Sequence, residues 1–426
     1  MEDLIIIGAG PGGYETAIKA TKNGLKVTII NDGPLGGVCL NEGCIPTKTF
    51  CHYAGKEEFA TVTERKEQVV NQLRNGVAYL LKNPNITIVE GKASLKDANT
   101  VVVGDTEYQA KHIIIASGSK PALLPILGAD SKMVLTSTDV LNLKELPGSI
   151  CVIGGGVIGL EMACYLRKFG VEVTVLEYAP NILPNYDEDI SKRLKQMLTR
   201  QGIRIETSAQ VTAIDDEGFV TFEKKGQKYE VVCDKVLMAV GRKPNTEGLN
   251  LDALGITYDK KGIQVNENMQ TSKPNIYAIG DVNGLIMLAH VASFQGYRAL
   301  NYILGKADQI RFDLVPSAVF TTPEVASVGL TEARCDDEEL DYRTVKVPYG
   351  SVGKAVAMGE TDGFCKLIID NENNTILGCH IMGSHASDLI QEVVTMMNLD
   401  VTLDRAKDII HAHPTLSEII QTAINA

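Results

Sequence analysis

The sequence predicts an α/β protein: two Rossmann-like dinucleotide-binding domains followed by a C-terminal α+β domain. Three observations predict it: an internal repeat, three apolar strands that each end in glycine, and antiparallel strand patterning beyond about residue 313. The repeat pairs LIIIGAGPGGYETAIKATKNGLKVTIIND, from Leu4, with ICVIGGGVIGLEMACYLRKFGVEVTVLEY, from Ile150. An offset of 146 lays Gly8 on Gly154, Gly10 on Gly156, Gly13 on Gly159 and Gly24 on Gly170. Each copy reads as an apolar strand, a G-x-G-x-x-G turn, a helix closed by glycine and a second β-branched strand. The first glycine makes the turn, the second lets backbone approach a pyrophosphate, and the third packs helix on strand. The anion then lies at a helix N-terminus, where amides are free. A single such turn is weak evidence; two, both strand-first and helix-next, make two nucleotide sites.

The residue ending each second strand bears on which nucleotide is held. In the second copy it is Glu177, 23 positions after Gly154, placed to accept hydrogen bonds from an adenosine ribose. The first copy has Asn31 there, with Asp32 next, where glutamate is expected. An asparagine oxygen still accepts from a hydroxyl. The three glycine-ended strands are IIIASGSKP with Gly118, VLMAVGRKPNT with Gly241, and NIYAIGDV with Asp281. Their order fits a nicotinamide-binding unit inserted into a flavin-binding one, with the Asp281 carboxylate meeting the polyol or phosphate region of the flavin. The expected domains are 1–118 resumed at 246–312, then 119–245, then 313–426.

In the last domain, strand-like runs such as FCKLIID and TILGCHIMG alternate with turn residues, and helical stretches follow Ser387 and run from Leu403 onward. Its tail, HAHPTLSEII, places His413 at the mouth of a helix whose first turn holds Pro414, with Glu418 one turn in. A carboxylate that near fixes the imidazole and favours its charged form. His411 beside His413 could make half a metal site, but no further ligands stand nearby, and no metal is expected.

At 426 residues and 44% hydrophobic, the chain buries large cores without disulfides. Nine cysteines is far below the density of secreted scaffolds, and the start of the chain lacks a basic region before an apolar one, so a reducing, cytoplasmic setting is expected. No apolar run is long enough to cross a bilayer, and a net charge of −12 disfavours nucleic acid. Against that background GGVCLNEGCIPTK stands out: Cys39 and Cys44 close a small ring, and a helix start at IPTK would lower a thiol pKa. That describes a labile, exchangeable disulfide. A structural bridge, a zinc half-site and pairing with Cys51 are the alternatives. Lys48, four residues after Cys44, shares its helical face.

Together, GGVCLNEGCIPTK, VIGGGVIGLEMA, YAIGDV, MLAHVASFQG, TTPEVASVGLTE and HAHPTLSE resemble the dihydrolipoyl dehydrogenase family of flavin-dependent pyridine nucleotide-disulfide oxidoreductases, nearly end to end. The resemblance implies FAD and NAD as cofactors, a homodimer, and a lipoyl-bearing protein of a 2-oxo-acid dehydrogenase complex or glycine cleavage system as partner. It implies Cys39 as the interchange thiol, Cys44 as the flavin-contacting thiol, and Lys48 with Glu161 as a pair near the flavin. His413 with Glu418 would be the acid–base dyad, reaching the active site of the other subunit. Alternatives are a glutathione-reductase-like disulfide reductase and a flavin-binding assembly subunit with little turnover. Two departures stand out: Glu42 lies between the cysteines where the family has a small apolar residue, and the stretch from Cys51 to Lys111 is short. The extra charge of Glu42 is expected to oppose thiolate formation.

Overall fold

The computed structural model describes residues 1–426. The first sheet has a parallel core in the spatial order Ile86–Glu90, Val27–Asn31, Glu2–Ile7, Thr106–Ile115, Ile276–Ala278. The last four residues of strand Glu2–Ile7 are leucine and isoleucines, and Leu4, Ile5 and Ile6 are fully buried, as a parallel strand covered on both faces requires. An antiparallel meander, Ala93–Leu95 and Thr100–Val103, extends it from Thr106–Ile115. The short region after the cysteines contains one 22-residue helix, Phe59–Leu80, ahead of its strands.

The second sheet is parallel throughout: Arg204–Thr207, Glu172–Glu177, Ser149–Ile153, Lys235–Met238, Val134–Leu135. A three-stranded antiparallel sheet, Gln210–Ile214, Phe219–Lys224 and Gln227–Val232, sits beside it. The chain reaches this region through Ser119–Pro121 and leaves through Arg242–Pro244, and those two segments pair with each other as an antiparallel ribbon. A third, five-stranded antiparallel sheet runs Ser317–Val319, Glu324–Gly329, Ile376–Gly383, Phe364–Asp370, Tyr342–Pro348, with helix Ala386–Asn398 packed on it. No helix is long and apolar enough to cross a membrane.

The chain end differs from the sequence expectation. Helix Leu403–Lys407 stops after five residues, and the next helix, Glu418–Asn425, begins at Glu418 rather than at Pro414. At that start the Glu418 side chain turns back, and its Oε2 accepts from the Thr415 backbone N–H at 2.9 Å. The side chain thus satisfies a donor ahead of the helix, and Glu418 is its first residue rather than one turn in.

Both fingerprint turns have the geometry that their glycines allow. Gly8 and Gly154 have φ of +111° and +110°. A Cβ at Gly13 would lie 1.9 Å from the Gly8 carbonyl oxygen, and at Gly159 2.1 Å from that of Gly154, so each third glycine is dictated by helix–turn contact. At the second glycines the space is open: nothing lies within 4 Å of a Cβ at Gly156, and only Gly37 approaches one at Gly10, at 3.9 Å.

Candidate active site

A cleft of about 1300 Å³ runs between the two fingerprints. It is lined by Gly8, Gly10, Asn31 and Asp32 of the first turn, Gly154, Gly156 and Glu177 of the second, and by both Cys39 and Cys44. The cysteines reach it because helix Gly37–Glu42 lies against the first turn. Gly36 N–H donates to the Ala9 carbonyl at 2.9 Å, and a Cβ on Gly37 would come 2.6 Å from the Gly10 Cα. Cys39 and Cys44 are disulfide-bonded, with Cα atoms 4.7 Å apart. Cys44 is the first residue of helix Cys44–Tyr53, so the thiolate released on reduction faces free amides and the positive dipole end. Cys51 is no competitor: burial, then the Glu161 charge, drives its thiol far above the ordinary range.

One turn along that helix, Lys48 Nζ meets Glu161 Oε2 at 2.8 Å and lies 4.6 Å from the Phe320 ring centre. Glu161 is almost fully buried, and its Oε1 accepts from the Phe320 backbone N–H at 2.9 Å. A buried carboxylate needs such partners to stay ionised. The pair joins the cysteine helix, the second fingerprint helix and the residue that follows the third sheet's leading strand.

At both strand ends the same contact appears. Asn31 Oδ1 accepts from Ala9 N–H at 2.8 Å, and Glu177 Oε2 accepts from Gly155 N–H at 2.6 Å, one offset apart. Glu177 Oε1 also accepts from Ala179 N–H at 2.6 Å. Each side chain therefore pins its own turn, with lone pairs left for a ribose. Asp32 projects outward, 3.9 Å from Lys92.

Asp281 meets the residues that follow Gly118 and Gly241, Ser119 and Arg242, in a network that sequence reading found only in part. Ser119 Oγ donates to Asp281 Oδ2, and Arg242 donates through Nε to Ser119 Oγ at 2.7 Å and through Nη2 to its carbonyl at 2.8 Å. Arg242 also lies in the field of Glu42, which lines the cleft with it. Ser119 and Arg242 each follow a glycine that ends a strand, and that position is the signal that could have found them.

At the chain end His413 Nδ1 lies 2.8 Å from Glu418 Oε1, with the ring about three-quarters exposed. The His413 hydrogen bond, and then the Thr415 N–H, hold the Glu418 carboxyl below the usual carboxylate range. Nε2 is left free to exchange a proton. Within one chain the dyad stands apart from Cys39 and Cys44, and His413 does not line their cleft.

The family model of pyridine nucleotide-disulphide oxidoreductases matches residues 2–296, and the model of their dimerisation domain matches 315–424. The chain belongs to the pyridine nucleotide-disulphide oxidoreductase family. It is 40% identical to a dihydrolipoyl dehydrogenase of Chlamydia muridarum over 444 residues, covering 98% of this chain and 95% of that one. Against the dihydrolipoyl dehydrogenase of Bacillus subtilis it is 41% identical over 448 residues, covering 99% and 95%. Among solved structures it is similar to the HOCl-induced flavoprotein disulfide reductase RclA of Escherichia coli (TM-score 0.92, 32% identity, 99% of each chain). It is also similar to LpdA of Mycobacterium tuberculosis (TM-score 0.91, 27% identity, 100% of this chain and 99% of that one). The two open second-glycine cradles in one cleft, with the disulfide lining it, fit the FAD and NAD that the sequence implied for this oxidoreductase.

Proposed function

We propose that this family member is a dihydrolipoyl dehydrogenase working as a homodimer on a lipoyl-bearing protein of a 2-oxo-acid dehydrogenase complex or glycine cleavage system, in the cytoplasm. The observation that carries the reading is the Cys39–Cys44 disulfide lining a cleft shared by two nucleotide cradles. In this reading residues 1–118 with 246–312 hold FAD, 119–245 hold NAD, and 313–426 pair the subunits. Gly8, Gly10, Gly13, Asn31, Asp32, Gly118 and Asp281 serve FAD. Gly154, Gly156, Gly159, Glu177 and Gly241 serve NAD.

A substrate thiolate attacks Cys39 Sγ, forming a mixed disulfide and releasing Cys44 as thiolate at its helix N-terminus. The second substrate thiol loses its proton to His413 Nε2 of the partner subunit and displaces Cys39, closing the product disulfide. Two electrons then reside on the cysteine pair, and Glu418 holds the imidazolium that forms. The Lys48 ammonium, fixed by Glu161, lies one turn from Cys44 and favours negative charge there. FAD, when bound, supplies two-electron chemistry that connects the dithiol to NAD.

A second reading, a disulfide reductase running the other way, is favoured by the likeness to RclA across 99% of both chains. Purified protein assayed with dihydrolipoamide and NAD, and with glutathione disulfide or coenzyme A disulfide and NADH, decides between them. Dihydrolipoamide oxidation should exceed either reduction by orders of magnitude. Yellow protein inactive in all three assays would instead indicate an assembly subunit.

A further inference from the structure

Two histidine–carboxylate pairs stand two residues apart at the chain end, and only one has a role so far. His411 lies in the loop 408–417 that carries His413, and its side chain is 5% exposed. Its Nε2 lies 2.5 Å from Glu392 Oε1 on helix Ala386–Asn398, and its Nδ1 lies 3.1 Å from the Ile409 carbonyl oxygen. Both ring nitrogens therefore face acceptors. A neutral imidazole has one N–H and can serve one of them; the doubly protonated ring serves both, with the Glu392 carboxylate as its counter-charge.

The bond to Glu392 is the only side-chain hydrogen bond tying residues 408–412 to a helix outside the loop. Beyond it, Ile410 is 92% exposed, and His413 itself is anchored from the other side, through Glu418 and Thr415. The charged groups facing the ring are Glu392 from helix Ala386–Asn398 and Glu418 from helix Glu418–Asn425.

We infer that His411, clamped to Glu392, is the positioning residue that holds the His413 loop in place for proton transfer. The inference rests on the proposed dithiol oxidation and deepens it: one dyad moves the proton while the other sets where that happens. An acid–base group needs placement within about half an ångström, and a displacement of about 1 Å can cost on the order of a hundredfold.

The test uses the whole holoenzyme with four variants. His411→Leu and Glu392→Leu should each lower kcat with dihydrolipoamide on the order of ten- to a hundredfold, with KM changed less than about threefold. NADH-to-artificial-acceptor turnover, which bypasses His413, should be unchanged. His411→Gln, whose amide donates to Glu392, should recover most of the loss. The double leucine variant should be no worse than either single one, since each breaks the same contact. Dithiothreitol oxidation is measured in parallel. A wild type that oxidises it but not dihydrolipoamide overturns the substrate assignment alone, and the positioning role is then read on the dithiothreitol reaction. Additive losses, no rescue by glutamine, a fall in both activities together, or lipoamide kcat within twofold of wild type in His411→Leu overturns the positioning role.

Discussion

Glu177 is the residue where nucleotide choice can be worked out in numbers. Its two oxygens accept the Gly155 and Ala179 N–H groups at 2.6 Å each, so Glu177→Ala does two things at once. It removes two hydrogen bonds to a charged acceptor, worth ~1.5–3 kcal/mol each in general, which loosens the second turn for any dinucleotide. It also removes a negative charge from the strand end at which the proposed function puts the ribose. At about 4 Å, two unit charges repel by ~4 kcal/mol at an effective dielectric of 20 and ~1 kcal/mol in bulk water. The first effect is common to NAD and NADP and cancels in their ratio; the second acts on NADP alone. Steady-state kcat/KM should therefore favour NAD in the wild type by about fivefold to a thousandfold, at ~1.4 kcal/mol per decade. In Glu177→Ala both efficiencies should fall while their ratio moves towards one. Glu177→Asn separates the terms, because Asn31 shows at the equivalent position that a neutral amide oxygen can hold its turn, at 2.8 Å. It should retain more NAD efficiency than the alanine variant yet discriminate no better. An NAD to NADP ratio unchanged in Glu177→Ala would refute the reasoning.

Other outcomes follow from the same geometry. Cys39→Ser should keep a thiolate–flavin charge-transfer band while losing lipoamide turnover; a band lost there and kept in Cys44→Ser means that the two roles are exchanged. His413→Ala should cost about 10²–10⁴-fold in lipoamide turnover and leave NADH-to-artificial-acceptor turnover intact, and a parallel loss of both would make the dyad structural. The folded carboxyl of Glu418 is depressed, so the dyad's contribution is present above the ordinary carboxylate pKa, about 4.3, and is lost only as pH falls through the lower folded value. Glu418→Gln should accordingly depress lipoamide turnover throughout the range above about pH 4, and an effect confined to acid would contradict this. Asn31→Glu should hold FAD at least as tightly as wild type through dialysis; faster loss would show that the amide is required.

The fingerprints were legible because backbone contact dictates their glycines: no side chain fits 1.9 Å from the Gly8 carbonyl. The cysteine pair and the His413–Glu418 dyad were legible because both are local in sequence. What sequence did not reveal depends on long-range neighbours. Phe320 serves Glu161 through a backbone N–H, which has no residue signature. Arg242 finds Ser119 only because a ribbon brings together residues 123 apart. Lys366 sits among Asp187, Asp189 and Glu332, carboxylates from segments far apart in the chain whose oxygens lie close enough together to hold a metal, so the lysine ammonium takes the place a cation would. The helix start was misplaced because Pro414 signals a first turn, whereas the helix begins at Glu418, whose side chain reaches back to the Thr415 amide ahead of it.

The second fingerprint helix, Val157–Lys168, explains why two nucleotide sites and a disulfide can share one cleft. Its N-terminus, capped at Gly156, faces the second cradle, and Glu161 follows within about 7.5 Å along the axis at 1.5 Å per residue. That residue is the one whose carboxylate holds Lys48 beside Cys44 and takes the Phe320 amide from the third domain. A helix needed for dinucleotide binding thus also delivers the counter-charge of the disulfide's lysine. Any rotation of the second parallel sheet and its helices away from the first would have to draw a nearly buried carboxylate off its ammonium, leaving it without that partner. Breaking a buried pair in this way costs ~3–5 kcal/mol, and partial solvent access to Lys48 lowers that figure. The same contact that favours negative charge at Cys44 therefore also resists separation of the two cradles.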